Sequence, residues 1–256
     1  TPLYSSAASD VYKRQAQSFE SLVPGMLTLF VFIIATVISN TFAGESLPEF
    51  ILTTLQAPAL AISKTAAFAL VSQITWPLFQ WLGIHPTAIW GAIFGMTWDI
   101  AGNENVLGVA KHLYTTMFMN YSTIAAGTFA LAPVLSILFF SKLKQNKKIT
   151  KVALAPAIFN ISEPITFGLP IILNPIYFIP FIIVQPLCFY IAVFFTKIGF
   201  IPVVCNNVPW TVPPIISGIL FTGTIAGGLV QLINLVISMA IYYPCLLYTS
   251  PSPRDS

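Results

Sequence analysis

The sequence has little charge, and this scarcity decides the class of protein. Only 7% of its 256 residues are Asp, Glu, Lys or Arg, and 56% are hydrophobic, whereas a soluble domain has about 25% charged residues. A nucleic-acid-binding domain is excluded, because it would need basic residues spread over a folded face. The composition therefore predicts an all-α, polytopic membrane protein whose surroundings are the lipid bilayer.

The motifs of self-contained enzymes are missing as well. The sequence has no GxxxxGK phosphate loop, no HExxH zinc motif and no GxSxG nucleophile turn. Its three cysteines, Cys188, Cys205 and Cys245, do not have the spacing of a metal or redox pair. We predict no cofactor and no metal. Whether the chain takes part in catalysis as a subunit of a complex stays open.

What the sequence has instead is an apolar stretch that proline interrupts, from residue 160 to residue 186. Proline cannot continue a helix, and irregular backbone inside a bilayer survives only where protein or a water-filled cavity satisfies it. Glu163 precedes the first of these prolines, Pro164. An intramembrane carboxylate at a broken helix is a functional candidate by default. Alternatively, Glu163 accepts hydrogen bonds from amides that Pro164 leaves free, or it lies at the interface.

Several segments are long and apolar enough to span a bilayer of about 30 Å. They are residues 22–42, 65 to about 82, 121–140, 176–195, and 215–244 as a long helix or a bent pair. Residues 45–64 mix apolar and polar side chains and predict an interfacial amphipathic helix. Five of the eleven basic residues lie between Lys142 and Lys151, which predicts a cytoplasmic loop there.

Two breaks predict re-entrant hairpins. The first is the turn at residues 83–86, followed by the short apolar segment 88–96, which the polar residues 99–105 end; we expect Asp99 and Glu104 to be solvated loop residues. The second is the break at Glu163, which a helix from Lys151 would place about 18 Å into the bilayer. Paired interruptions of this kind point to a transport site. The predicted architecture is a helical bundle with two re-entrant hairpins and one interfacial helix.

The polar side chains at these breaks suit a polyhydroxylated ligand. Glu163 can accept from two hydroxyls, and His85 in the first turn can donate and accept. Asn160 would lie on the same face as Glu163 if that segment is helical. His85 could instead cap a helix or lie at the interface. Aromatic side chains could stack on a sugar ring, although core packing or interface anchoring is the commoner role of each: Trp210, Tyr177 and Phe167.

Both ends of the chain differ in character from the rest. Residues 1–15 (TPLYSSAASDVYKRQ) and 245–256 (CLLYTSPSPRDS) are polar and look like translated sequencing adapters. We therefore predict two non-native ends and exclude them from fold reasoning. Residues 16–244 remain as one membrane-embedded domain, which we expect to be part of a longer protein.

Four stretches are specific in their residues and in their order along the chain: WLGIHPTAIWG (81–91), FNISEPITFGLPIILNPIYFIPFI (159–182), VPWTVPPIISGIL (208–220) and IYYP (241–244). Together they resemble the enzyme IIC component of the lactose/cellobiose/diacetylchitobiose family of the bacterial sugar phosphotransferase system. The resemblance covers residues 16–244, and it implies that several N-terminal helices precede them in the full subunit.

The resemblance implies a homodimeric permease of the bacterial inner membrane that moves a β-linked disaccharide inward. The sugar 6-hydroxyl would be phosphorylated by a phosphocysteine on a separate IIB protein, so the chain would be the membrane subunit of a sugar phosphotransferase. The family's sugar-binding His and Glu match His85 and Glu163. Two residues depart from the commoner family pattern: Pro86 stands where Gly is more usual, and Ser162 where Asn is more usual.

Two other functions remain open for the same residues. An ion-coupled or facilitative secondary transporter would use Glu163 as a proton site and would deliver unmodified sugar. A purely structural membrane subunit would bind no ligand. The phosphotransferase interpretation is favoured because it accounts for all four stretches together.

Overall fold

The computed structural model describes residues 3–42, 44, 46–51, 54, 62, 65–91, 95–109, 111–141, 143–169 and 171–248. The chain folds as two compact units, Thr1–Pro58 and Ala59–Ser256. Among the described residues, all regular elements are helices, which confirms the predicted all-α fold.

The first unit contains helix α1 (Leu3–Phe42) and the short helix α2 (Leu47–Ile51). Within α1, Val23–Phe42 is long and apolar enough to cross a membrane, with a mean hydropathy of 2.0, as predicted for residues 22–42. α1 also passes through residue 15, so the predicted domain boundary there stays a prediction.

A capping box begins α2. The Ser46 amide and hydroxyl both donate to Glu49 Oε2, at 3.1 and 2.7 Å, and the Glu49 amide donates back to Ser46 Oγ at 3.4 Å. The bond from the Ser46 hydroxyl is the main reason that the pKa of the Glu49 carboxyl is lowered. Most of the interfacial helix predicted for residues 45–64 lies outside the described residues.

The second unit is a helical bundle built from elements of very different length. In order they are α3 (Ala66–Trp81), α4 (Pro86–Trp90), α5 (Met96–Val106), α6 (Thr116–Met119), a π-helix (Asn120–Ile124), α7 (Leu131–Phe140), α8 (Lys144–Ile158), α9 (Glu163–Gly168), α10 (Pro175–Lys197), α11 (Ile216–Thr222) and α12 (Ile225–Tyr248).

Helix α12 is the centre of this bundle and packs against α7, α10 and α11, while α3 packs on α10. Two helical segments of the second unit, Pro175–Lys197 in α10 and Ile225–Cys245 in α12, are long and apolar enough to span a membrane. The span predicted at residues 176–195 is therefore confirmed. The segment 215–244 is the bent pair of the two alternatives, because α11 ends at Thr222 and the next residue, Gly223, has a φ of +66°.

The single span predicted for residues 121–140 is wrong. The π-helix gives way to turns at residues 125–130, and α7 begins only at Leu131. Gly127 explains the break, since its φ is +72° and a Cβ there would lie 2.9 Å from Pro214 Cγ. The side chains of α12 satisfy the interrupted backbone: Gln231 Nε2 donates to the Tyr121 carbonyl at 2.8 Å, and Asn234 Nδ2 to the Ser122 carbonyl at 2.9 Å.

Two predicted loops are largely helical. Residues 96–106 form α5 although they contain Gly and Asn, because buried Asn105 donates to the carbonyls of His112 and Val204 and so anchors the helix. Tertiary contacts of this kind override weak helix propensity. The lysine-rich run 142–151 is a helix from Lys144 onward, since Lys and Gln are good helix formers. Its cytoplasmic location stays a prediction.

Helices α11 and α12 approach each other closely at the bend between them. A Cβ added at Gly227 would lie 2.0 Å from Thr222 Oγ1 and 2.4 Å from the Gly218 carbonyl oxygen. Since the carbonyl belongs to fixed backbone, the two helices would have to separate. Gly227 is therefore required at this position.

We predict that Gly227→Ala lowers the free energy of unfolding by about 2 kcal/mol or more, which is the usual cost of overpacking or slightly above it. The measurement is the thermal unfolding midpoint of the purified protein in detergent. Gly25→Ala is the matched control, because its added Cβ meets no described atom within 4 Å beyond its chain neighbours and its own helix backbone. Equal midpoints for the two variants would contradict the packing described here.

Candidate functional site

A cavity of about 790 Å³ lies in the second unit, within the range of about 300–1,000 Å³ that is typical of small-molecule sites. Its walls come from α3, α4, α5, α6, the π-helix, the break before α9 and the loop that contains Trp210. The four side chains predicted to bind a ligand all line this one cavity: His85, Asn160, Glu163 and Trp210.

His85 lies at the start of α4, immediately before the proline that opens the helix. Proline suits the first helical position, because its fixed φ matches the helix and its missing N–H would be unpaired there anyway. The ring is exposed, and Nδ1 lies 2.5 Å from Thr87 Oγ1. This bond fixes the orientation of the ring. Nε2 bonds to none of the described residues and is available to a ligand.

Glu163 is the first residue of α9, directly after the irregular residues 159–162. The side chain is exposed to the cavity. Within the described ranges, no donor bonds to its carboxylate. The alternative that Glu163 accepts from amides freed by Pro164 is therefore not what the structure shows.

Asn160 does not lie on a common helical face with Glu163, because the segment that joins them is not helical. α8 ends at Ile158, and Asn160 occupies the turn that follows with a φ of +63°. Asparagine tolerates this left-handed conformation better than most residues do. Its Nδ2 donates to the carbonyls of Trp210 and Val212 at 2.7 and 2.9 Å.

The amide of Asn160 thus joins the break before Glu163 to the loop of Trp210. The residue is only 5% exposed, and its Oδ1 is buried with no partner among the described residues. Asn160 therefore positions the cavity wall through its amide nitrogen.

The aromatic lining is richer than the sequence indicated. Besides Trp210, which is 45% exposed, three more of the five tryptophans line the cavity: Trp76, Trp90 and Trp98. Phe68 orients two of them by edge-to-face contacts, with ring centroids 5.7 Å from Trp90 and 6.0 Å from Trp98. The sequence feature that could have identified these three tryptophans is that each lies on a helical segment close in sequence to the His85 turn.

The other two aromatic candidates do not line the cavity. Tyr177 is buried in the hydrophobic core formed around α7 and α10. Phe167 is 67% exposed on α9. Of the three stacking candidates, only Trp210 lines the cavity that Glu163 and His85 also line.

Comparison with known proteins gives the family. The model of the family described as "Phosphotransferase system, EIIC" matches residues 9–184. The chain belongs to this family. Its membership and its apolar helices together make it a multi-pass membrane protein.

Several relatives are similar over 90% of the chain. Over 239 residues it is 34% identical to a cellobiose-specific EIIC component of Geobacillus stearothermophilus and 33% identical to an oligo-beta-mannoside-specific EIIC component of Bacillus subtilis, of whose lengths it covers 53% and 54%. The crystal structure of the transporter ChbC, the IIC component of an N,N'-diacetylchitobiose-specific system, superposes with a TM-score of 0.70 at 30% identity. The match covers 90% of this chain and 55% of ChbC. The chain therefore spans about half the length of these relatives.

We predict that replacing Asn160 destabilises the second unit in a graded way. Asn160→Gly keeps the left-handed φ and loses two hydrogen bonds, at about 1 kcal/mol each. Asn160→Ala loses the same two bonds and in addition holds an alanine in the unfavourable left-handed conformation, so it should lower the free energy of unfolding by about 3 kcal/mol in total. Thermal unfolding in detergent measures both. If Asn160→Ala unfolds at the wild-type midpoint, the two hydrogen bonds do not stabilise the fold.

Proposed function

We propose that this chain is the sugar-binding part of a phosphotransferase-system permease and that its substrate is a β-linked disaccharide of the cellobiose, chitobiose or lactose type. One observation supports this most: His85 and Glu163, from two separate helix breaks, line the same cavity as four tryptophans. The names of the relatives, which specify cellobiose, oligo-beta-mannosides and N,N'-diacetylchitobiose, agree with a β-linked sugar as the substrate.

The chemistry of the cavity suits such a sugar. A pyranose has a hydroxyl rim and apolar faces, so it needs charge-assisted acceptors at its edge and flat apolar surfaces against its faces. The Glu163 carboxylate can accept from two adjacent hydroxyls, and His85 Nε2 can donate or accept. The tryptophans supply the apolar surfaces, each with large contact area and few rotatable bonds.

The proposed reaction is phosphoryl transfer to the sugar 6-hydroxyl. The hydroxyl oxygen attacks the phosphorus of a phosphocysteine on the IIB protein, the phosphorus–sulfur bond breaks, and the thiolate leaves. Such transfers depend mainly on alignment of the attacking oxygen. We assign that alignment to Glu163 and His85, one of which accepts the hydroxyl proton. In the membrane the full subunit would work as a homodimer.

Selectivity among disaccharides is expected to depend on the residues beside this pair. Ser162 lines the cavity next to Glu163, and Pro86 sets the first turn of α4 after His85. Both depart from the commoner family pattern. Because Ser162 offers one hydroxyl where an Asn would offer an amide donor and a carbonyl, it changes which sugar substituents can be bound.

We predict that Glu163→Gln in the full-length protein weakens cellobiose binding at least tenfold, because a neutral amide replaces a charge-assisted acceptor. Sugar titration followed by intrinsic tryptophan fluorescence is a suitable measurement, since four of the five tryptophans line the cavity. Glu104→Gln is the matched control: Glu104 pairs with His112 and lies outside the cavity lining. Unchanged affinity in Glu163→Gln would overturn the assignment.

The function itself is tested by uptake. Cells that express the full-length protein, with and without its IIB partner, receive radiolabelled cellobiose, chitobiose or lactose, and the intracellular product is identified. We expect sugar 6-phosphate only when IIB is present. Free sugar that is indifferent to IIB and sensitive to an uncoupler would instead indicate a secondary transporter with Glu163 as its proton site.

A further inference from the structure

The polar residues of helix α5 fall into two groups, those with bonding partners and those without a partner among the described residues. Glu104 pairs with His112, and Asn105 bonds to the backbone of His112 and Val204. Asn105 anchors the helix to the rest of the unit, and the Glu104 carboxylate is paired outside the cavity lining. Asp99 and Asn103 are different: both are exposed, both line the cavity, and neither side chain bonds to any residue that the structure describes.

Asp99 and Asn103 also share one face of the helix. They are four residues apart, so their side chains are neighbours on the helix surface. Trp98, next to Asp99 in sequence, lines the same cavity and is held by Phe68. The open polar face of α5 therefore adjoins one of the tryptophans that border the cavity.

Both side chains are thus free to bond to water or to a polar ligand in the cavity. Glu163 and Asp99 stand on two separate elements, α9 and α5, that border a single cavity. A disaccharide has two hydroxyl-rich units joined by one bond, so a site that selects it over a monosaccharide needs polar groups for both units.

We propose that Asp99 and Asn103 bind the second sugar unit of the disaccharide, the unit that is not held by Glu163 and His85. Asp99 accepts from adjacent hydroxyls, and Asn103 both donates and accepts. The pair thereby makes the site specific for disaccharides over single sugars. This inference rests on the proposed function, because it assumes that the cavity binds a sugar.

The test compares a disaccharide with its own monomer in the full-length protein. Binding of radiolabelled cellobiose is measured in membranes, and glucose is used as a competitor; diacetylchitobiose and N-acetylglucosamine form a second matched pair. We expect Asp99→Asn and Asn103→Ser each to weaken binding of the disaccharide about tenfold and to leave competition by the monosaccharide unchanged. Glu163→Gln should weaken both.

The control is Glu104→Gln on the same helix, whose side chain faces His112, and the thermal midpoint of each variant verifies that it folds. Unchanged disaccharide affinity in both Asp99→Asn and Asn103→Ser overturns the inference, and so does an equal loss for disaccharide and monosaccharide. If the wild type binds neither sugar of either pair, the proposed function fails together with the inference. Binding in the wild type with no selective loss refutes the second-unit assignment alone.

Discussion

The second unit depends on internal hydrogen bonds that satisfy interrupted backbone. In hydrocarbon an unpaired carbonyl or amide costs several kcal/mol, so a helix can break only where another group pairs with what is left free. Asn160 pairs with the carbonyls of Trp210 and Val212, and Gln231 and Asn234 pair with carbonyls of the π-helix. Each bond joins segments that are far apart in sequence. The breaks are therefore held in place by the bundle as a whole.

These bonds also separate structural polar groups from those that remain for a ligand. Gln231 illustrates the first kind, since its Oε1 accepts from the Ile215 amide and the Ser217 hydroxyl while its Nε2 is also paired. Glu163 and His85 Nε2 are of the second kind, with no partner in the described part of the chain. The distinction cannot be made from residue type, because amides and carboxylates are equally polar in both settings.

The sequence was most informative where a physical rule has few exceptions. Long uncharged runs predicted the spans at residues 22–42 and 176–195. Pro164 marked a true helix boundary, since α9 begins at Glu163 after the irregular residues 159–162. The predictions from the sequence were wrong where a contact with residues distant in sequence determines the local structure. Gly127 breaks the segment 121–140 because Pro214 lies against it, and Asn105 keeps residues 96–106 helical through distant partners. Neither effect can be read from the neighbouring residues.

For this protein the sequence by itself determined the membrane class, the helical fold, the family and the identity of two titratable residues at helix breaks. The four motif stretches gave the resemblance to the family. Composition and proline placement suffice for the rest, because they act locally and do not depend on packing. Only the tertiary structure decided that the two breaks share one cavity, that four tryptophans and Asp99 also border it, and that Asn160 holds the wall. Those facts depend on which segments meet, and long-range hydrogen bonding and close packing determine that.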